Sequence, residues 1–139
     1  MTAMSNYMEN KLIDHILRDT AWSAPSNVYV ALVGAYSAAD LEAGTITGEL
    51  TIGGDSYARV SVKGNSNWSA GSTNGLTDNE NDISFTTATG DWGYVSGLFL
   101  SNASTAGDVI LYGALTTPKI IENGDQFVIA AGDLDITFA

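Results

Sequence analysis

Apolar positions recur along this chain with two periods. Between residues 6 and 18 they follow helical spacing. Met8, Leu12 and Ile16, flanked by Ile13 and Leu17, form one stripe, and Glu9, Asn10, Lys11, Asp14, His15 and Arg18 face away. The pattern predicts an amphipathic helix over 6–18. Asn6 followed by Glu9 fits an N-cap with its reciprocal carboxylate, and Asp14 and Arg18 stand four apart in the favourable order. Three turns are too few for a helix to hold by itself. The stripe must therefore dock, on the chain's own sheet or on a neighbouring subunit.

From residue 28 the period changes to two. Residues 28–34 are β-branched and apolar on both faces, as in a covered central strand. Segments 45–52 and 57–62 flank a Gly53-Gly54-Asp55 turn and predict a hairpin. Residues 83–87 make a further strand. Residues 91–116 read as two strands and their loop, apolar on both faces, with Trp92 and Tyr112 as large packing anchors. Short strands follow at Ile120-Ile121, at 126–131 and along Leu134, Ile136 and Phe138. Eight or nine strands spaced by turn signals predict a mainly β fold, an antiparallel β-sandwich or barrel-like domain preceded by one N-terminal helix. One domain spans 1–139, with the helix at 6–18 and the sandwich at 28–139. Two polar stretches interrupt the strands. Residues 35–44 are small and acidic, with room for a helical turn. Residues 64–82 are rich in Asn, Ser and Gly around Trp68, the length of a working loop.

Composition narrows the range of partners. The chain has 139 residues, 16 acidic and 5 basic, and a net charge of -11. Such a surface repels phosphate backbones and anionic membranes, so neither nucleic acid nor membrane is an expected partner. No run of about 18 apolar residues predicts a membrane span. Glu9 and Asp14 interrupt the basic-then-apolar order of a signal peptide, so Sec-type export is not expected. The sequence holds no cysteine.

Candidate chemistry is sparse. His15, the one histidine, falls on the polar helix face, where a Ser-His-Asp triad has no place to form. No phosphate loop, dinucleotide fingerprint or H-E-x-x-H occurs. Asp133 and Asp135 share a strand face, and Asp91 and Asp108 sit beside turns. Gly-Asp pairs recur five times, which is ordinary turn chemistry. Asp78, Glu80 and Asp82 offer oxygen ligands at alternate positions, the one Ca²⁺ candidate, without the Gly and Glu that complete an EF-hand loop. The three tryptophans could stack on sugars, or pack in a core or interface. No catalytic residue, cofactor or firm metal site is predicted.

Several segments together resemble a known family. They are S-N-Y-M-E-N-K-L-I-D-H (5–15), Y-V-A-L (29–32), S-Y-A-R-V (56–60), A-T-G-D-W-G-Y-V (88–95), L-Y-G-A-L-T (111–116) and G-D-Q-F-V-I-A-A-G-D-L-D-I-T (124–137). Their order across the chain resembles that of small virion proteins of tailed bacteriophages, labelled tail fibre or structural protein, with similar small proteins serving as capsid cement. The resemblance implies a non-enzymatic virion structural protein assembled in the bacterial cytoplasm. The leading expectation is a capsid-decorating cement protein, homo-oligomeric and bound between major capsid proteins. The alternatives are a tail-fibre or tail-tip component and, further off, a carbohydrate-binding module. Tyr7, Met8, Leu12, Ile16 and Trp68 are the expected partner contacts.

Overall fold

The computed structural model describes residues 2–70 and 74–138. In chain order the elements are β1 (Ala3–Met4), α1 (Asn6–Leu17), β2 (Tyr29–Val33), α2 (Ala38–Glu42), a 3-10 turn (Gly54–Ser56), β3 (Val60–Ser61), β4 (Leu76–Thr77), β5 (Ile83–Ser84), β6 (Gly93–Ser101), β7 (Val109–Ile121), β8 (Val128–Ile129) and β9 (Ile136–Thr137). The main sheet has the order β1-β7-β6-β2-β3, with antiparallel pairing throughout. Two small antiparallel pairs, β4-β9 and β5-β8, accompany it. The sheets are open, so the fold is mainly β and sandwich-like rather than a barrel.

The long β6-β7 ribbon is the centre, as the two-faced apolar pattern of 91–116 predicts. Alternation along the sheet divides its side chains between two cores. Val30, Leu32, Leu98, Leu100 and Leu111 join Tyr57, Phe85, Phe127 and Ile136 in the larger core. Ala31, Val33, Phe99, Val109 and Tyr112 meet Leu41 of α2 in a smaller one. The helical turn expected within 35–44 is therefore α2, capped by the Ser37 hydroxyl on the Asp40 N–H. Gly97 is required where Tyr36 crosses β6, since a Cβ there would stand 2.3 Å from the Tyr36 ring. Tyr112 is buried as an anchor. Trp92 is half-buried, meets Tyr57 edge to face, and donates its indole N–H to Asp55 O.

Four local expectations need correction. The separate short strand expected at Ile120-Ile121 is instead the end of β7, which runs on from Val109 to Ile121. Ser5, not Asn6, caps α1: its Oγ accepts the Met8 N–H and donates to Val109 O, so the cap also ties the helix to β7. The hairpin expected between 45–52 and 57–62 does not form. Both segments pair with β2 instead, Val33 bridging Glu49 and Val30 opposing Val60. A buried ion pair draws them to that shared edge. Finally, the strands expected at 45–52, 83–87 and 126–131 are much shorter than their apolar runs. Single hydrogen bonds such as Leu50 N–H to Leu32 O and Phe85 N–H to Phe127 O continue the pairing.

The ion pair joins Arg59 to Glu49. Arg59 Nε and Nη2 donate to the two Glu49 carboxylate oxygens at 2.7 and 2.8 Å, and Nη1 donates to Ala103 O and Ala106 O. The Arg59 side chain is fully buried, and its guanidinium lies 5.0 Å from the centre of the Phe99 ring. Tyr57 extends the network: its hydroxyl accepts the Leu32 N–H and donates to Glu49 Oε1. A second polar hub is Asn79, 1 % exposed, whose Nδ2 donates to Asn81 O and Ala130 O and whose Oδ1 accepts the Leu134 N–H.

Removing one member of a buried pair leaves the other charge unpaired, so Arg59→Met is expected to cost about 3–5 kcal/mol in chemical denaturation. The double variant Arg59→Met/Glu49→Leu should cost less than the sum of its two singles. Asn79→Ala strands one donor and two acceptors, and should lower stability by about 3 kcal/mol. Burial, the largest cause, raises the Tyr57 hydroxyl above its ordinary 10.0. The protonated form is thus the one the fold favours. Its stabilisation is complete below pH 10.0 and is lost as pH rises past that value. The stability advantage of the native chain over Tyr57→Phe should therefore shrink as denaturation is repeated at pH values rising through 10.

Candidate functional site

The surface that departs most from an ordinary domain lies around α1. The helix docks through Met8, which is buried, and Leu12, which packs on the larger core. The rest of the stripe stays open: Ile13 is 49 %, Ile16 70 % and Leu17 77 % exposed. Around the helix axis Ile16 lies about 40° from Leu12 and continues its stripe, while Ile13 and Leu17 lie about 100–140° from Leu12. The helix therefore carries one wide apolar stripe, and its own chain covers only the part at Met8 and Leu12. Of the two docking options read from the sequence, the chain's own sheet takes the first half of the stripe only.

Beside the helix the sandwich leaves an apolar groove of about 700 Å³, lined by Val28, Trp68, Leu100, Ile110, Ile136 and Phe138 among others. A further hollow of about 540 Å³, lined by Met4, Met8, Leu12 and Phe138, continues it alongside the inner face of α1. Phe138 is shared by both and is 42 % exposed. Alternation with Leu134 and Ile136 placed Phe138 with the core, but β9 ends at Thr137, which frees the ring from that parity. The groove comes from 64–82, the polar stretch with Trp68 in its midst. Trp68 Nε1 donates to Val62 O at 2.8 Å, and Trp68 bridges Asn79. These contacts hold the indole as a wall. The expectation for 64–82 also takes in 71–73, which lie outside the described residues.

The expected contact residues thus divide. Ile16 is open, and Trp68 and Leu12 border the groove and the hollow. Met8 is spent on the chain's own core. Tyr7 is half-buried, with Lys11 Nζ 5.6 Å from its ring centre. Ile13, Leu17 and Phe138 were not among the expected contacts. The two helical residues belong to the same stripe, whose width is greater than one docking face needs.

The candidate chemical groups are engaged in local structure. His15 is exposed, with Nδ1 3.3 Å from Thr20 O. Asp91 Oδ1 accepts the Asn123 N–H, Asp108 accepts from Asn102 Nδ2, and Asp125 accepts the Glu122 N–H. These are turn contacts, in keeping with the Gly-Asp pattern. Asp133 and Asp135 are exposed. In 78–82 it is Asn79 that is buried, and Asp82 Oδ1 accepts the Ala131 N–H. Among the described residues, no three His, Cys, Asp or Glu side chains converge as a metal site, so Asp78, Glu80 and Asp82 do not form a shared cage. No helix among the described residues is long and apolar enough to cross a membrane.

No curated protein sequence matches this chain. Residues 3–137 match the family described as podophage GP4 fiber I protein gp80. The match takes in α1, the main sheet and the described groove lining apart from Phe138. With nearly its whole length covered, the chain belongs to this family of phage virion structural proteins.

Proposed function

We propose that this chain is a non-enzymatic module of a phage tail fibre, which holds its place in the virion by docking the apolar surface around α1 against other virion proteins. One observation carries the reading: the open Ile13, Ile16 and Leu17 face, on a strongly acidic chain that belongs to a fibre family. Exposed aliphatic side chains clustered beside an apolar groove mark an interaction surface. A compact sandwich suits an adaptor or terminal knob of a fibre, since the sequence has no internal repeat from which to build a long shaft.

The family description reverses the order of the two leading expectations. A capsid-decorating role, with the major capsid protein as partner, keeps the support of small size and high negative charge, which discourage premature association. The fibre reading has those features and the family match as well. A sugar-binding role draws less from the geometry. The Trp68 indole N–H is committed to Val62 O, and the surface beside it is mostly apolar, whereas a sugar needs several convergent hydrogen-bonding groups.

Gold-tagged antibody against this chain, applied to intact particles, should mark the tail. Gold spread over the head lattice, together with heads that burst at lower temperature when the chain is missing, would replace the fibre with the decorating role. Particles free of gold, with the chain absent from their protein content, would overturn the virion assignment.

A further inference from the structure

Ile13, Ile16 and Leu17 stand at i, i+3 and i+4, the spacing with which a helix anchors in an apolar groove. The same chain carries such a groove, bounded by Trp68 and Phe138. Within one copy α1 borders the hollow with Met8 and Leu12, while Ile13, Ile16 and Leu17 stay exposed. We propose that the open face of α1 in one copy seats in the Trp68–Phe138 groove of a second copy.

Charge favours a second copy as the occupant. Every copy carries -11, so copies that meet on most of their surface meet acid with acid. These two surfaces are exceptions. Within α1 and its cap residue, Glu9 and Asp14 are balanced by Lys11 and Arg18, and Arg18 lies 3.2 Å from Asp14. Among the described residues the groove lining includes no acidic side chain and has Lys63 at its edge. At the C-terminal end of α1 the carbonyl dipoles and Asp19 are offset in part by Arg18, so neither surface meets the other with a strong like charge. A basic foreign partner would find its complement on the acidic remainder of the surface instead. At about 700 Å³ the groove lies within the ~300–1,000 Å³ range of clefts that enclose a ligand, enough for a few aliphatic side chains. Helix and groove are different patches, so the contact is heterologous: it closes as a reciprocal dimer or a ring, or else propagates. The inference goes beyond the fibre reading and holds for a head or a tail location alike.

The chain lacks cysteine, which makes a direct test clean. Ile16→Cys and Asn65→Cys lie at exposed positions, one on the helix face and one on the groove wall. The two full-length variants, one isotopically heavy, are mixed in equal amounts and oxidised under mild conditions. The mixed disulfide should outnumber both like-with-like disulfides, and should be lost when Ile13→Asp and Leu17→Asp are added to the Ile16→Cys chain. Sedimentation of the native chain should give a mass above 14.5 kDa that Ile16→Asp returns to the monomer value. Circular dichroism of each variant confirms that the fold is intact. A preponderance of Ile16–Ile16 linkage would replace the contact with helix against helix. A monomer at millimolar concentration, or a mass unchanged by Ile16→Asp, would overturn it outright. Gold at the head with the mixed disulfide retained would sink the fibre reading and leave this contact standing.

Discussion

A buried guanidinium must find an acceptor for nearly every N–H, and at Arg59 that demand shapes one whole side of the sandwich. Four bonds leave it, two to Glu49 and two to carbonyls of the β6-β7 loop. Segment 45–52 is held beside β2 by the Gly34 N–H to Gly48 O and Leu50 N–H to Leu32 O bonds, which bring Glu49 to Arg59. The loop at 103–106 is folded back because its carbonyls must reach Arg59. Desolvating two charges is expensive, and only close bidentate geometry with further partners compensates for it. Such a pair adds little net stability over an apolar equivalent. Here it fixes which segments lie beside β2, a question that apolar side chains of similar size would leave open.

That role explains why part of the fold was legible and part was not. The β6-β7 ribbon, β2, α1 and the turn at α2 follow from period and from turn residues, which are local signals. The hairpin expected across Gly53-Gly54-Asp55 followed local rules as well and was wrong. Glu49 and Arg59 both pair toward β2 through a contact ten residues apart, which no period records. The short strands failed for a related reason. Asn79 and single backbone bonds hold 78–82 and 130–134 in place, so the neighbouring apolar runs at 83–87 and 126–131 pack without forming long ladders. Ser5 was missed as the cap because its second partner, Val109 O, is 104 residues away.

The interaction surface was legible in a different way. Stripe width at 6–18 is a sequence property, and five apolar residues in three turns exceed what one docking face requires. Which of them the chain would cover depended on the angle at which α1 meets β7, set by the Ser5 cap and the Met8 contact. The groove could not be read, because it is a space between segments distant in sequence: Trp68, Ile110 and Phe138 meet only in the fold. Trp68 marked its place, a large apolar residue set in a polar loop.

A strongly acidic chain that must assemble faces two opposed requirements. Charge keeps copies apart while they are free, and the screening length of about 8 Å at physiological salt confines that repulsion to close approach. Attachment then needs a surface where the repulsion is absent and apolar area is available. In this chain both conditions hold where α1 is internally balanced and the adjoining groove, among the described residues, has no acidic side chain. The remaining acid lies mostly on turns, where Asp91, Asp108 and Asp125 bond backbone or amide N–H groups. Those carboxylates serve local folding and solubility at once, which frees the helix face and groove to be apolar. The division of labour follows from electrostatics alone, whether the chain stands in a fibre or on a shell.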